Sequence, residues 1–302
     1  MTKRGSKNIA ASVRQRLLNK ARADNRPFTE LLQYYAMERF LYRLSKSSHV
    51  KKFVLKGALL QMVWQAPLGR PTMDIDMLGK TSNQVTEIGD IVREVCSVNV
   101  EPDGIAFDLA SIKGERIVEG AEYEGIRIRL SCKLDTAVVR LQIDIGFGDV
   151  VFPGPEMAKF PSLLDHPSPR LMCYSRESTI AEKFEAMVSL GELNSRMKDF
   201  YDIWLLARQF DFDKKQLAEA VARTFRTRGT ALPDEIIAFS DAFVNAKEAQ
   251  WKAFRRKLKQ ETIPAEFAEI VLTVEEFLKP VIGSMRSNQT ISGTWKASRP
   301  WN

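Results

Sequence analysis

Three stretches between residues 72 and 146 place polar and apolar residues in alternation. The first is Thr72-Met73-Asp74-Ile75-Asp76-Met77-Leu78. In the second, Ile126, Ile128 and Leu130 alternate with Arg127, Arg129 and Ser131. In the third, Val139, Leu141, Ile143 and Ile145 alternate with Arg140, Gln142, Asp144 and Gly146. A period of two belongs to strands that bury one face and expose the other. Beyond residue 176 the apolar spacing changes to that of helices, at about 177–190, 197–210, 213–225, 234–246, 247–259 and 265–279. Strands first and helices afterwards define an α+β chain. The expected architecture is bilobal: a mixed-sheet lobe with leading helices over 1–155, and a helical bundle over 156–302. The proline-rich stretch from Pro153 to Pro169 is the candidate linker. The polar tail from about Gly283 reads as irregular, with Trp295 and Trp301 able to dock it.

Ahead of the first alternation the pattern is helical. Ile9, Val13 and Leu17 recur every four residues, and Pro27 ends that segment. A second helix takes Thr29 as its N-cap and Leu31, Leu32, Tyr35, Phe40, Leu41 and Leu44 as its apolar surface, stopping at Ser45–Ser48. Phe53-Val54-Leu55 is a short apolar run. Leu59 to Trp64 reads as a buried helix stopped by Pro67 and Gly69, and 83–97 as another helix.

Composition sets limits on function. With 302 residues, 44% of them hydrophobic and 27% charged, the chain can bury a sizeable core without staples. Cys96, Cys132 and Cys173 are too few and too widely spaced for a disulfide framework or a zinc pattern, and read as buried, reduced thiols. Two histidines, His49 and His166, exclude a histidine-rich metal cluster. No stretch approaches the roughly 20 apolar residues of a membrane helix, so the expectation is a cytoplasmic protein with no membrane partner. The formal charge of +7 suits a polyanionic partner.

The sharpest chemical signal is Asp74-Ile75-Asp76. Residues i and i+2 of a strand share a face, so two carboxylates would stand side by side. Their repulsion is relieved by a cation, and hard divalent ions take oxygen ligands of this kind. Two solvated aspartates on an edge strand would give the same pattern. Asp144 stands on the polar face of another strand, where a third carboxylate would complete a two-metal site. Lys56-Gly57-Ala58 follows a strand and opens a helix, so backbone N–H groups could approach phosphate there; a packing glycine is the plainer reading. In the helical half Lys183 lies on an amphipathic segment. Arg196, Asp199 and Asp202 are spaced by three and share a helix face, so the two aspartates call for cationic neighbours such as Arg196 and Lys183. A structural charge network would satisfy the same pattern.

Taken in order, these residues carry a resemblance. Lys56-Gly57-Ala58, then Arg70-Pro71-Thr72-Met73-Asp74-Ile75-Asp76, then Asp144, Lys183 and Arg196-x-Lys198-Asp199-x-x-Asp202 resemble the AbiEii/AbiGii-type toxin family. That family is similar to DNA polymerase β-type nucleotidyltransferases. The similarity runs from about residue 7 to 210 and includes Glu38-Arg39-Phe40-Leu41-Tyr42-Arg43-Leu44. It implies that Gly57 and Ala58 match a Gly-Ser or Gly-Gly turn facing phosphate, with the hydroxyl lost at Ala58. It assigns Asp74 and Asp76 to the metal-binding pair, Asp144 to the third carboxylate and Lys183 to the triphosphate. Arg196, Asp199 and Asp202 match the last motif, in which the first aspartate is implicated in activity. Lys56, Arg70 and Thr72 go with the nucleotide.

The function so implied is a nucleotidyltransferase toxin of a toxin–antitoxin system. It would be a monomer that uses magnesium and a nucleoside triphosphate, with its helical lobe closing the nucleotide cleft. Its target would be RNA, most simply the tRNA 3′ end, and its cognate antitoxin would be encoded by a neighbouring gene. Arg127 with Arg129, Arg223 with Arg226 and Arg228, and Arg255-Arg256-Lys257-x-Lys259 are candidate RNA contacts or plain solvated faces. Two rivals stand: transfer to a small molecule or a protein hydroxyl, and a catalytically silent RNA- or protein-binding module of the same fold.

Overall fold

The computed structural model describes residues 3–66, 70–119, 123–258, 260–287 and 292–297. Pro67, Gly69, Lys259 and Trp301, named above, lie outside the described residues. The backbone divides into two compact units. One comprises 1–65, 71–148 and 156–173; the other comprises 66–70, 149–155 and 174–302.

The first unit is built on a seven-stranded sheet. Its strands are β1 (Phe53–Lys56), β2 (Asp74–Gly79), β3 (Ile105–Glu119), β4 (Tyr123–Leu134), β5 (Ala137–Phe147), β6 (Glu156–Lys159) and β7 (Arg170–Cys173). Their order across the sheet is β3-β4-β5-β2-β1-β7-β6. The β2–β5 and β1–β7 pairs are parallel and the others antiparallel. The alternating residues behave as expected: Ile75, Met77, Ile126, Ile128, Leu130, Leu141, Ile143 and Ile145 are all buried. Their removal from water is the main stabilising term of this unit.

Three helices cover that apolar side: α1 (Lys3–Ala23), α2 (Phe28–Lys46) and α4 (Val85–Cys96), with α2 packed on β5 and β7 and α4 on β3. The four-residue α3 spans Leu60–Val63. Helix α2 is buried on every side from Leu31 to Leu44, and its polar residues are paired accordingly. Glu38 accepts from Ser162 Oγ (2.7 Å) and from the Leu163 N–H (2.8 Å), while Arg39 donates to Pro167 O (2.8 Å). Arg43 forks onto Asp103 at 2.6 and 3.1 Å.

Several expectations are corrected. Thr29 is not the cap of α2; Pro27 holds that position, and its carbonyl accepts from the N–H groups of Glu30 and Leu31. The long strand β3 carries no strand signal in the sequence, because residues 105–119 do not alternate cleanly. Residues 156–173 are not a linker: β6 and β7 form a hairpin on the sheet, and the segment between them is held by Glu38 and Arg39. The 59–64 stretch makes one short helical turn rather than a helix.

The second unit is helical: α5 (Arg176–Leu190), α6 (Met197–Gln209), α7 (Lys214–Arg228), α8 (Asp241–Leu258) and α9 (Phe267–Ser287). Ser175 Oγ caps α5 by accepting from the Ser178 N–H at 3.1 Å. Asp213 caps α7 and Gly229, at φ +66°, ends it. The two helices expected at 234–246 and 247–259 are one, α8, because Ser240 rather than Asp234 opens it: its Oγ accepts from the Phe243 N–H at 3.2 Å. Helix α9 continues through Pro280 to Ser287, so the tail does not turn irregular at Gly283. Burial of Val281, Ile282 and Ser284 offsets the hydrogen bond that proline removes. Trp295 does dock the tail. It is buried, donates from Nε1 to Ala207 O at 2.6 Å, and lies in β9 (Thr294–Trp295), paired with β8 (Phe212–Asp213). The three cysteines are buried and free, and burial pushes each thiol up to about 12. No helix among the described residues is long and apolar enough to cross a membrane.

Candidate active site

The polar face of the sheet collects the carboxylates. In parallel register, Asp76 stands beside Asp144 and Asp74 beside Gln142. On the other side of β2, Asp76 stands opposite Lys56. Two contacts fasten this register. Gln33 of α2 donates from Nε2 to Met73 O and to Arg140 O, both at 3.0 Å, so one side chain ties the starts of β2 and β5 together. Thr72 is buried: its N–H donates to Tyr34 Oη (3.1 Å) and its Oγ1 accepts from the Asp74 N–H (3.4 Å). Thr72 therefore orients the strand that carries the aspartates. Gln33 carried no pattern in the sequence, because its role depends on strands far along the chain.

Gly57 is demanded by this site. Its φ is +74°, and a Cβ built there would fall within 2.7 Å of Asp76 Cβ and Cγ and closer still to Oδ2. Glycine alone combines the left-handed backbone with so close an approach. Ala58 beside it is buried. The helix expected after this turn is only the four-residue α3, so a helix N-terminus contributes little there.

Asp144 is claimed by Arg127, a candidate RNA contact or solvated residue by its sequence pattern. Arg127, opposite it on antiparallel β4, donates from Nε to Oδ1 (2.8 Å) and from Nη2 to Oδ2 (2.7 Å). Gln142 Nε2 adds a donor to Oδ2 at 3.1 Å. The Arg127 pKa is raised, chiefly by this bonding to Asp144, with the Asp74 charge adding to it. Among the described residues no three His, Cys, Asp or Glu side chains are gathered so as to hold a metal ion. Asp74 and Asp76 form an oxygen-only pair on one strand face. Magnesium is commonly held by one or two carboxylates together with water and substrate phosphates, so this donor chemistry fits that ion.

The second unit holds a separate charged cluster. Lys183 Nζ of α5 lies 2.8 Å from Asp199 Oδ1 and 2.8 Å from Asp202 Oδ2, both on α6. Arg70 donates from Nε to Asp202 Oδ1 (3.0 Å) and from Nη2 to Oδ2 (3.1 Å). Arg196 Nε is 2.8 Å from Asp199 Oδ2, although not aligned for a hydrogen bond, and that oxygen has no hydrogen-bond partner among the described residues. The cationic neighbours that the aspartates required are thus Lys183, Arg196 and, from far along the chain, Arg70. Burial by itself would raise the Asp202 carboxyl, but Arg70 and Lys183 outweigh it and hold the group down at about 2. Burial likewise works against the Lys183 charge, and Asp199 and Asp202 overcome it, raising its pKa. Three cations against two carboxylates leave this cluster net positive.

The other basic candidates divide. Arg228 is no surface contact: it lies 2.9 Å from Asp149 and 2.7 Å from Glu185, and these carboxylates and Glu182 raise its pKa against burial. Arg223 pairs with Glu219 at 2.6 Å, and Arg129 with Glu115 at 2.6 Å. Arg255 donates to Ile263 O at 2.8 Å, closing the end of α8. Arg226 and Lys257 are exposed.

Comparison with known proteins follows the same lines. Among solved structures, a candidate nucleotidyltransferase from H. pylori is similar at 14% identity and a TM-score of 0.47, over 86% of this chain and 97% of that one. JHP933 from Helicobacter pylori is similar at 13% identity and a TM-score of 0.47, over 86% of this chain and 94% of that one. No curated protein matches. Residues 39–273 match the family described as nucleotidyl transferase AbiEii toxin, type IV toxin–antitoxin system, a span that holds the Asp74–Asp76 pair and the Lys183–Asp202 cluster alike. The chain belongs to the AbiEii nucleotidyltransferase toxin family.

Proposed function

We propose that this nucleotidyltransferase toxin transfers a nucleotide from a nucleoside triphosphate to RNA, at the 3′ hydroxyl of tRNA, in a magnesium-dependent reaction. The observation that carries the reading is the carboxylate face of β2, with Asp74 and Asp76 on one side of the strand and Gly57 leaving room for Asp76. Magnesium held by Asp74 and Asp76 would neutralise phosphate charge. The RNA hydroxyl attacks the α-phosphorus, a new P–O bond forms, and the bond to pyrophosphate breaks. Lys183 and Arg196 are the groups suited to the β- and γ-phosphates, since their cluster keeps a net positive charge. Asp202, saturated by Arg70 and Lys183, orients those two cations; Asp199 orients Lys183. Asp144, on the same sheet face as Asp76, would take the proton of the attacking hydroxyl. A type IV toxin implies a cognate antitoxin as partner.

The test is transfer itself. The protein is incubated with each labelled nucleoside triphosphate, magnesium and total RNA, beside Asp76→Ala. Label on tRNA that disappears in the variant and on chelation of magnesium is the expected result. Label on protein or small molecules instead moves the reading to another hydroxyl acceptor. Absence of transfer with retained RNA binding points to a silent module.

A further inference from the structure

Two phenylalanine rings near the start of α5 each carry an arginine laid over them. Arg223 of α7 places its guanidinium carbon 4.3 Å from the centre of the Phe152 ring. Arg176, the first residue of α5, lies 4.4 Å from the centre of the Phe210 ring. The two stacks are neighbours, since Ser175, next to Arg176, donates from Oγ to Phe152 O at 3.0 Å. Ser178 holds the same residue twice: its Oγ accepts from the Phe152 N–H at 2.7 Å and donates to the Phe152 carbonyl at 3.0 Å. Phe210 is fixed at the end of α6, where its N–H donates to Leu206 O at 3.0 Å. All of these residues belong to the second unit. Both rings are half-buried, and the Arg223 side chain is 42% exposed. A guanidinium plane resting on a ring keeps its outer face for a second flat partner. Helix α7 supplies the charge: it has one carboxylate, Glu219, among Lys214, Lys215, Arg223, Arg226 and Arg228. Arg228 is committed to Asp149 and Glu185, while Lys215 and Arg226 are exposed. The Glu219–Arg223 pair joins adjacent turns at the surface, so opening it costs little.

We propose that these two arginine–phenylalanine stacks form a subsite for single-stranded RNA, in which bases stack on the guanidinium planes while Lys215 and Arg226 meet the phosphates. The proposal rests on the RNA reading above and concerns binding, not transfer. Basic charge alone would suit any polyanion, an acidic protein included; the paired flat surfaces are what favour bases. A duplex keeps its bases stacked on one another, so only an unpaired strand can use both surfaces.

The experiment titrates the full chain, without nucleoside triphosphate, against three fluorescently labelled probes by anisotropy. They are a single-stranded RNA of about 12 nucleotides, the same strand annealed to its complement, and an abasic strand of the same length. Wild type should bind the single strand about tenfold more tightly than the duplex or the abasic strand. Arg176→Lys and Arg223→Lys keep the charge and lose the plane. Each should weaken single-strand binding about tenfold and leave duplex binding unchanged. Phe152→Leu and Phe210→Leu should do the same, and the lysine variants decide alone if these do not fold. Arg226→Ala should instead weaken single strand and duplex alike and lower the salt slope by about one. Lysine variants that bind the single strand as wild type does overturn the inference and leave the RNA reading intact. Equal binding of all three probes overturns it too, since the surface would then read charge alone. Absence of binding to every probe overturns the inference, and takes the RNA reading with it when tRNA labelling is absent as well.

Discussion

At the scale of the residue, the carboxylates of this protein differ by what neutralises them. Asp144 is answered by an arginine of the next strand and Asp202 by two cations from different stretches of chain. The Asp202 group has a pKa held at about 2, below its usual 3.8, so its contribution to stability has a definite sign. That contribution is full above the unfolded value and is lost as the pH falls through the folded one. Asp202→Asn should remove about 2 kcal/mol at neutral pH. The difference from wild type should shrink towards nothing between about pH 4 and pH 2. Urea unfolding of both proteins across that range measures it, and a difference independent of pH would show that the aspartate is not the paired anion described. The aspartates themselves were legible in the sequence, because i, i+2 and i, i+3 spacings place side chains on one face before any fold is known. Arg127 was not, because its partner is chosen by strand register.

At the scale of the element, α2 is the part that least resembles its sequence pattern. Its apolar residues predict an amphipathic helix, yet Glu38, Arg39 and Arg43 are as buried as the leucines. Burial of those charges is tolerable only because each finds a partner: Ser162 and Leu163 for Glu38, Pro167 for Arg39, Asp103 for Arg43. Burial raises the Glu38 pKa, opposed chiefly by Arg39. Glu38→Ala would leave Arg39 buried without its carboxylate and free the 160–169 segment. The expected loss is about 3–5 kcal/mol of unfolding free energy. Denaturant midpoints read this out, and a loss below about 1 kcal/mol would mean that water replaces the carboxylate. The same helix explains why the proline-rich stretch is not a linker: its backbone is held by side chains more than a hundred residues earlier in the chain. Proline content reports local conformation and carries no information about such long-range partners.

At the scale of the whole molecule, the charge of +7 is not evenly useful. Much of the arginine is spent internally: on Asp103, Asp144, Asp202, and on the Asp149, Glu182 and Glu185 group. The cations left for an RNA backbone are fewer than the composition suggests. RNA binding, if it accompanies transfer, should still weaken with salt, with a log–log slope of a few units rather than the steep slopes of proteins that neutralise many phosphates. Titration of labelled tRNA between low and physiological salt gives that slope; a slope near zero would remove phosphate contacts from the picture.

The sequence by itself determined the fold class, the positions of most strands and helices, and the residue types of both charged clusters. Periodicity is a local property, and burial of one face enforces it directly. Only the tertiary structure decided which charges meet. It brought Arg70 to Asp202 across 132 residues, put Arg127 on Asp144, set Gly57 against Asp76 and tied two strand starts through Gln33. These pairings depend on strand order, register and helix packing, which are settled by the sum of many weak apolar contacts over the whole chain. A spacing rule reaches only as far as one element, and each of these contacts joins two.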